Sequence, residues 1–206
     1  MSNGSKKIIL ASASPRRLEI LRAHGIEPKV VIPKIDERGL LASLLPELSP
    51  TELVQQLASL KARDVYEQVS SEPPDAYGVL ILAADTIVYK EELGVLGKPT
   101  DRADAIRMLL ALCNTEHEVI TGVSLIEGST GEEWCLVDIT TVHFGEYGLT
   151  EIEEYLASEP PFDKAGSYAI QGMWGRYVTQ VEGDFENVIG LPFYRLESYK
   201  SPNLFP

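Results

Sequence analysis

Short apolar runs of strand length alternate along the chain with stretches of helical spacing. Lys7 to Ala11 (KIILA) suits a buried strand. It feeds into Ser12-Ala13-Ser14-Pro15, where Ser14 can serve as N-cap and Pro15 as the first helical residue. That helix runs through Leu18 and Leu21 to Gly25, a natural stop. Pro28 to Pro33 (PKVVIP) is expected to be a second strand bounded by its prolines. Ser49-Pro50-Thr51-Glu52 is a capping box that opens a helix with the stripe Leu53, Val54, Leu57, Leu60 and Val65. Ser70 to Gly78 has the composition of a surface loop.

Val79 to Ala84 (VLILAA) is the most apolar run and predicts a central strand covered on both faces. Ile87 to Tyr89 and Val95 to Leu96 flank a polar turn, as in a hairpin. Thr100 or Asp101 opens a helix carrying Ile106, Leu109, Leu110 and Leu112. Val119 to Ile126 and Trp134 to Phe144 are strands joined by a turn at Gly128 to Gly131. Thr150 begins another helix, with Glu153 completing its capping box. A Gly-punctuated segment from Pro160 to Gly175 precedes a strand near Tyr177 to Val181 and a last helix after Pro192. Helices interleaved with strands and interrupted by hairpins predict an α/β protein with a mixed, twisted sheet.

The 206 residues suit one domain spanning 1–206, at most two lobes sharing a cleft, with residues 1–6 a disordered lead. No apolar run approaches the about 18 residues needed to span a membrane, and the polar N-terminus lacks a signal-peptide core. A cytoplasmic protein with no membrane partner is therefore expected. Cys113 and Cys135 lie far apart in apolar segments and are expected to be buried free thiols, which fits a reducing compartment. The formal net charge of −13 argues against a nucleic-acid partner. A small anion needs only a local basic cluster, so the scarce Lys and Arg residues matter most.

One such cluster is Ser12, Ser14, Arg16 and Arg17 at the first helix start. Free backbone N–H groups and the positive end of the dipole favour anions there, and two guanidiniums suit bidentate phosphate contacts. An incidental Arg pair on a solvated turn is the plain alternative. Lys61 shares the apolar stripe of Val54 and Leu57, so it either snorkels outward or points into a polar cavity. Asp85 follows VLILAA directly, at the carboxyl end of the expected central strand, where open α/β sheets place their sites. It either caps a turn with Thr86 or holds a metal or activates water. Asp36-Glu37 and Lys98-Pro99 are ambiguous by themselves. Asp163 to Gly166 and Ala169 to Gly172 lie where backbone can approach a ligand, and the Gln171 amide both donates and accepts. His24, His117 and His143 have no zinc spacing, and no Walker A loop, dinucleotide fingerprint or nucleophile elbow is present. Carboxylates and basic side chains remain, the tools of metal-assisted phosphate hydrolysis.

Read in order, these residues resemble the Maf family of nucleoside triphosphate pyrophosphatases, a fold similar to that of inosine triphosphate pyrophosphatases. The matching segments are ASASPRR (11–17), Asp36-Glu37, the lysine of SLKAR (59–63), AADTIV (83–88), GKPTD (97–101), LTEIEEYL (149–156), EPPFDKAGSYAIQG (159–172) and NVIGLP (187–192). The resemblance implies that Asp85 accepts the proton of the attacking water, with Glu37 its partner in catalysis or metal binding. It implies a divalent cation, Mg²⁺ or Mn²⁺, at Glu37 and Asp85. Ser12, Ser14, Arg16, Arg17, Lys61 and Lys98 would hold the triphosphate. Arg16, Thr86 and Gln171 match the branch acting on dTTP and UTP; 7-methyl-GTP, or binding without turnover, are the alternatives. The resemblance leaves a homodimer open. Ala169 stands where glycine is common, and Trp174 replaces a small residue, so it would narrow the pocket or stack on a base.

Overall fold

The computed structural model describes residues 7–70 and 78–198. The expected disordered lead and the loop residues 71–77 lie outside the described residues. The first half of the chain runs β1 (Lys7–Leu10), α1 (Pro15–Ala23), β2 (Lys29–Val30), α2 (Glu37–Leu44), α3 (Pro50–Ser70), β3 (Val79–Lys90), β4 (Gly94–Leu96) and α4 (Arg102–Leu112). The second runs β5 (Glu116–Glu127), β6 (Glu133–Phe144), α5 (Leu149–Ser158), β7 (Val178–Glu182), α6 (Phe185–Ile189) and α7 (Phe193–Ser198). Two 3₁₀ turns, Ala165–Ser167 and Met173–Tyr177, sit in the Gly-punctuated segment.

The strands form one mixed sheet in the order β2-β1-β3-β5-β6-β7, with β4 paired to β3. β1 runs parallel to both β2 and β3, whereas the β3–β4 and β6–β7 pairs are antiparallel. The expected mixed α/β sheet is what the chain forms. Its apolar runs explain the central position of β1 and β3, whose first residues are buried almost without exception. Burial on both faces removes the need for alternation.

The chain divides into two compact units, and β3, β5 and β6 contribute residues to both. Among the described residues, the first comprises 7–70, 78–85, 121–138 and 190–198, and the second 86–120 and 139–189. Each has its own core. In the first, Ile9, Ala11, Ile81 and Ala83 pack with Ala62 and Val65 of α3. In the second, Leu109, Leu112, Phe144, Tyr155 and Trp174 form an aromatic-rich cluster.

Several local expectations shift. PKVVIP yields only the pair Lys29–Val30 as strand, although Val31 N still donates to Leu10 O at 3.0 Å; Pro28 before it cannot donate to a ladder. Asp36-Glu37 is a helix start, with the Asp36 carboxylate accepting from Gly39 N at 3.1 Å. The capping box at α3 forms as expected, Ser49 and Glu52 exchanging their bonds. At α5 the cap falls earlier than Thr150. Gly148 N donates to Glu151 at 2.9 Å, and Glu153 pairs with Arg102 instead. Cys113, at the C-cap of α4, and Cys135, within β6, are free but only half-buried.

Candidate active site

Asp85 does not end a strand, contrary to its expected place at the carboxyl end of one: β3 continues through Asp85 to Lys90. The strand changes neighbours around it. β1 covers β3 only as far as Leu82, and β4 joins it only from Val88. Asp85 and Thr86 lie in the interval that neither strand covers. Asp85 thus stands beyond the carboxyl end of the parallel β1–β3 pairing, which is where a crevice is expected in an open parallel sheet.

Lys61 occupies the buried face of α3, beside the fully buried Ala58, Ala62 and Val65. Its side chain is 5% exposed and does not snorkel. Nζ lies 2.5 Å from Asp85 Oδ1 and 3.0 Å from Glu37 Oε1. A desolvated ammonium requires such company. Glu37 reaches it from the first turn of α2, and Lys34 N donates to Asp64 of α3 at 2.8 Å, tying the preceding loop to the same helix.

The turn after β1 is organised by Ser12 and Arg17. Ser12 Oγ accepts from Ser14 N and from Arg17 Nη1, both at 3.1 Å. Arg17 Nε donates to Gly190 O at 2.8 Å, which gives the NVIGLP segment a role that composition does not reveal. Burial pushes the Arg17 guanidinium below its ordinary range; Asp85 and Glu37 oppose that shift, and Arg16 adds to it. Asp85 and Glu37 therefore act on Arg17 as well as Lys61. Ser14 takes the N-cap position with extended backbone, yet its side chain makes no capping bond. The expected cap is thus positional only, and its hydroxyl is not spent on the helix. Arg16 is half-exposed beside it.

Ser12, Ser14, Arg16, Arg17, Glu37, Lys61 and Asp85 belong to the first unit, and Thr86, Lys98 and Gln171 to the second. Lys98 is exposed in the loop after β4. That loop is tied to the Gly-punctuated segment by Gly166 N, which donates to Gly97 O at 3.1 Å. Gly166 has φ +65°, and a Cβ there would meet Val88 at 2.7 Å, so only glycine fits the turn. Gln171 is exposed. Trp174 is not a base-stacking surface. It is fully buried, with Tyr147, Tyr155 and Tyr177 ring centroids at 4.7 to 4.8 Å. A large apolar ring gains most where water is excluded on every side.

Among the histidines, His117 is buried and shares a 2.7 Å bond with the Tyr168 hydroxyl. His24 stacks on Phe193, and His143 meets Glu116 and Glu182. Among the described residues, no group of three or more His, Cys, Asp or Glu side chains is arranged to hold a metal ion. The Asp85 and Glu37 carboxylates nevertheless converge on one cation, the Lys61 ammonium. Two hard oxygen donors suit Mg²⁺ or Mn²⁺, which draw remaining ligands from phosphate and water.

The whole described chain matches one family. The model of the Maf-like proteins matches residues 7–199. A dTTP/UTP pyrophosphatase of Symbiobacterium thermophilum is 43% identical over 190 residues, covering 92% of this chain and 90% of that protein. Another, of Vibrio cholerae, is 41% identical over 191 residues, covering 93% and 95%. Among solved structures, a nucleoside-triphosphatase (dITP/XTP pyrophosphatase) from Mycobacterium abscessus aligns over 68% of this chain and 75% of its own, at 19% identity and a TM-score of 0.42. With the family match running through every segment that builds the Ser12–Arg17 turn and the Lys61 cluster, the chain belongs to the Maf-like family.

Proposed function

We propose that this chain is a nucleoside triphosphate pyrophosphatase that hydrolyses dTTP and UTP to the monophosphate and pyrophosphate. The observation that carries the reading is the buried Lys61 ammonium held between the Asp85 and Glu37 carboxylates, in a chain of the Maf-like family. Relatives at about this distance are named for that activity.

The chemistry follows from the charges. A triphosphate repels a nucleophile until its oxygens are neutralised. The α1 N-terminus, with Arg16 and Arg17, supplies donors and positive charge for that purpose. Lys61 and Lys98 add two ammonium groups. Asp85 orients water and takes its proton, and Lys61 keeps the carboxylate in place. Glu37 and Asp85 would hold a divalent cation, which when bound supplies charge neutralisation at the phosphate oxygens. Gln171 would read the pyrimidine edge, with Arg16 and Thr86 completing the selection. The free thiols of Cys113 and Cys135 suit a cytoplasmic setting.

The test is pyrophosphate release from a panel of dTTP, UTP, CTP, ATP, GTP and 7-methyl-GTP at one Mg²⁺ concentration. The reading expects dTTP and UTP to lead. Release of orthophosphate instead, or a lead for 7-methyl-GTP, overturns it.

A further inference from the structure

We propose that Gly122 is a positioning residue for Lys61: by lacking a side chain, it lets α3 settle on β5 closely enough for the Lys61 ammonium to reach Asp85. The inference rests on the pyrophosphatase reading above.

A Cβ built on Gly122 would lie 2.5 Å from the carbonyl carbon and oxygen of Val54 and 2.7 Å from Gln55 N. All three are backbone atoms of α3, so no rotamer change makes room. The helix or the strand must move. Gly122 has no positive φ, so the backbone itself does not call for glycine there. The close approach does.

Val54 and Lys61 are seven residues apart, almost two full turns, so they share the sheet-facing side of α3. Whatever lifts that side at Val54 lifts Lys61 as well. The rest of that side has the same character. Ala58 and Ala62 are fully buried, and Ala62 packs against Ile9, Ile81 and Ala83. Small side chains at these positions keep the helix low over the sheet. β5 neighbours β3 in the sheet, so Gly122 supports α3 from the strand beside the one that carries Asp85. Arg63 of α3 pairs with Glu133, whose other oxygen accepts from Ser124 Oγ at 2.8 Å, and this pins the helix edge once it has settled. Lys61 Nζ lies 2.5 Å from Asp85 Oδ1, so lifting the helix from its seat draws the ammonium away from the carboxylate. A misplacement of about 1 Å can cost about a hundredfold in rate.

The experiment is a double-mutant cycle between Gly122→Ala and Lys61→Met. It is read on kcat/KM for UTP and, independently of turnover, on the dissociation constant of a non-hydrolysable triphosphate analogue. Gly122→Ala should lower kcat/KM about tenfold or more in the parent, yet change it less than about twofold when Lys61 is already methionine. A purely structural glycine would cost the same factor in both backgrounds, and that result overturns the proposal, as does full activity of Gly122→Ala. Ala62→Val lifts the same face by overpacking and serves if Gly122→Ala does not fold. It must show the same dependence on Lys61. A parent that releases no pyrophosphate from any nucleotide fails the functional reading before a variant is made. An active parent with an additive cycle fails only the positioning role.

Discussion

The Lys61 ammonium lies 2.5 Å from Asp85 Oδ1, although Lys61 takes its place in an otherwise apolar face of α3. The Asp85 side chain is 15% exposed and that of Glu37 43%. Replacing Lys61 with methionine satisfies the helix face but leaves Asp85 without its cation in a partly dry setting. From the sequence alone, Lys61→Met should fold as well as the parent, since no apolar packing is lost. With the pair in view, it should cost about 2 kcal/mol in urea unfolding. Adding Asp85→Asn should recover most of that loss. A Lys61→Met protein as stable as its parent, with unchanged KM and kcat, would return this lysine to a passive role.

Asp85→Asn keeps the shape and removes the base. Turnover should fall about a hundredfold or more, with the fold and much of the nucleotide affinity retained. Pyrophosphate release and nucleotide titration on the same sample separate the two. Near-normal turnover would remove Asp85 from its role.

Chelation of divalent cations should abolish turnover, and added Mg²⁺ or Mn²⁺ should restore it. Glu37→Gln removes one of the two carboxylates that face Lys61, so the cation concentration needed for half-maximal rate should rise about tenfold or more. An unchanged cation dependence in Glu37→Gln would show that Glu37 is not a ligand.

Substrate choice is expected to rest on Gln171. An amide held in one orientation donates to O4 and accepts from N3–H of uracil or thymine, and cytosine presents the opposite pattern. UTP should therefore exceed CTP in kcat/KM, and Gln171→Leu should erase the difference while part of the hydrolysis remains. Trp174 plays no part in this ranking, because it is buried in the aromatic cluster. Trp174→Ala should cost about 3–5 kcal/mol of stability and leave the order of substrates unchanged. Equal kcat/KM for UTP and CTP in the parent would end the specificity argument.

Acid stability should depend on His117. Burial is the largest cause that lowers its pKa from 6.5 to about 3, with the charges of Lys90 and His143 adding to it. Below pH 6.5 the unfolded chain takes up a proton that the folded one refuses, so stability falls as pH drops from 6.5 toward 3. The slope from this group is about 1.4 kcal/mol per pH unit. His117→Gln keeps a partner for the Tyr168 hydroxyl and does not ionise in this range. Its urea-unfolding free energy should fall less steeply between pH 6.5 and 4 than that of the parent. Parallel curves would mean that His117 does not set the acid limb.

The alternation of strands and helices is legible along the chain, because apolar runs and caps are local properties. VLILAA had to be interior, Ser49-Pro50-Thr51-Glu52 had to start a helix, and the family segments named the chemistry. Lys61 also stands out as anomalous, since a charge on an apolar stripe is visible in spacing alone. Where that charge goes depends on the folded chain. Snorkelling and burial against carboxylates share one local pattern and differ in what another part of the chain brings near, here Asp85 of β3 and Glu37 of α2. The same holds for Asp85, whose strand continues past it and exchanges one neighbour for another. Trp174 read as a pocket wall became core because Tyr147 and Tyr155, distant in sequence, close over it together with the nearby Tyr177. Gly122 left no signal at all, since its lack of a side chain matters only through the backbone of a helix more than sixty residues earlier. Local propensity is written in neighbours along the chain, whereas desolvation and close approach depend on neighbours in space.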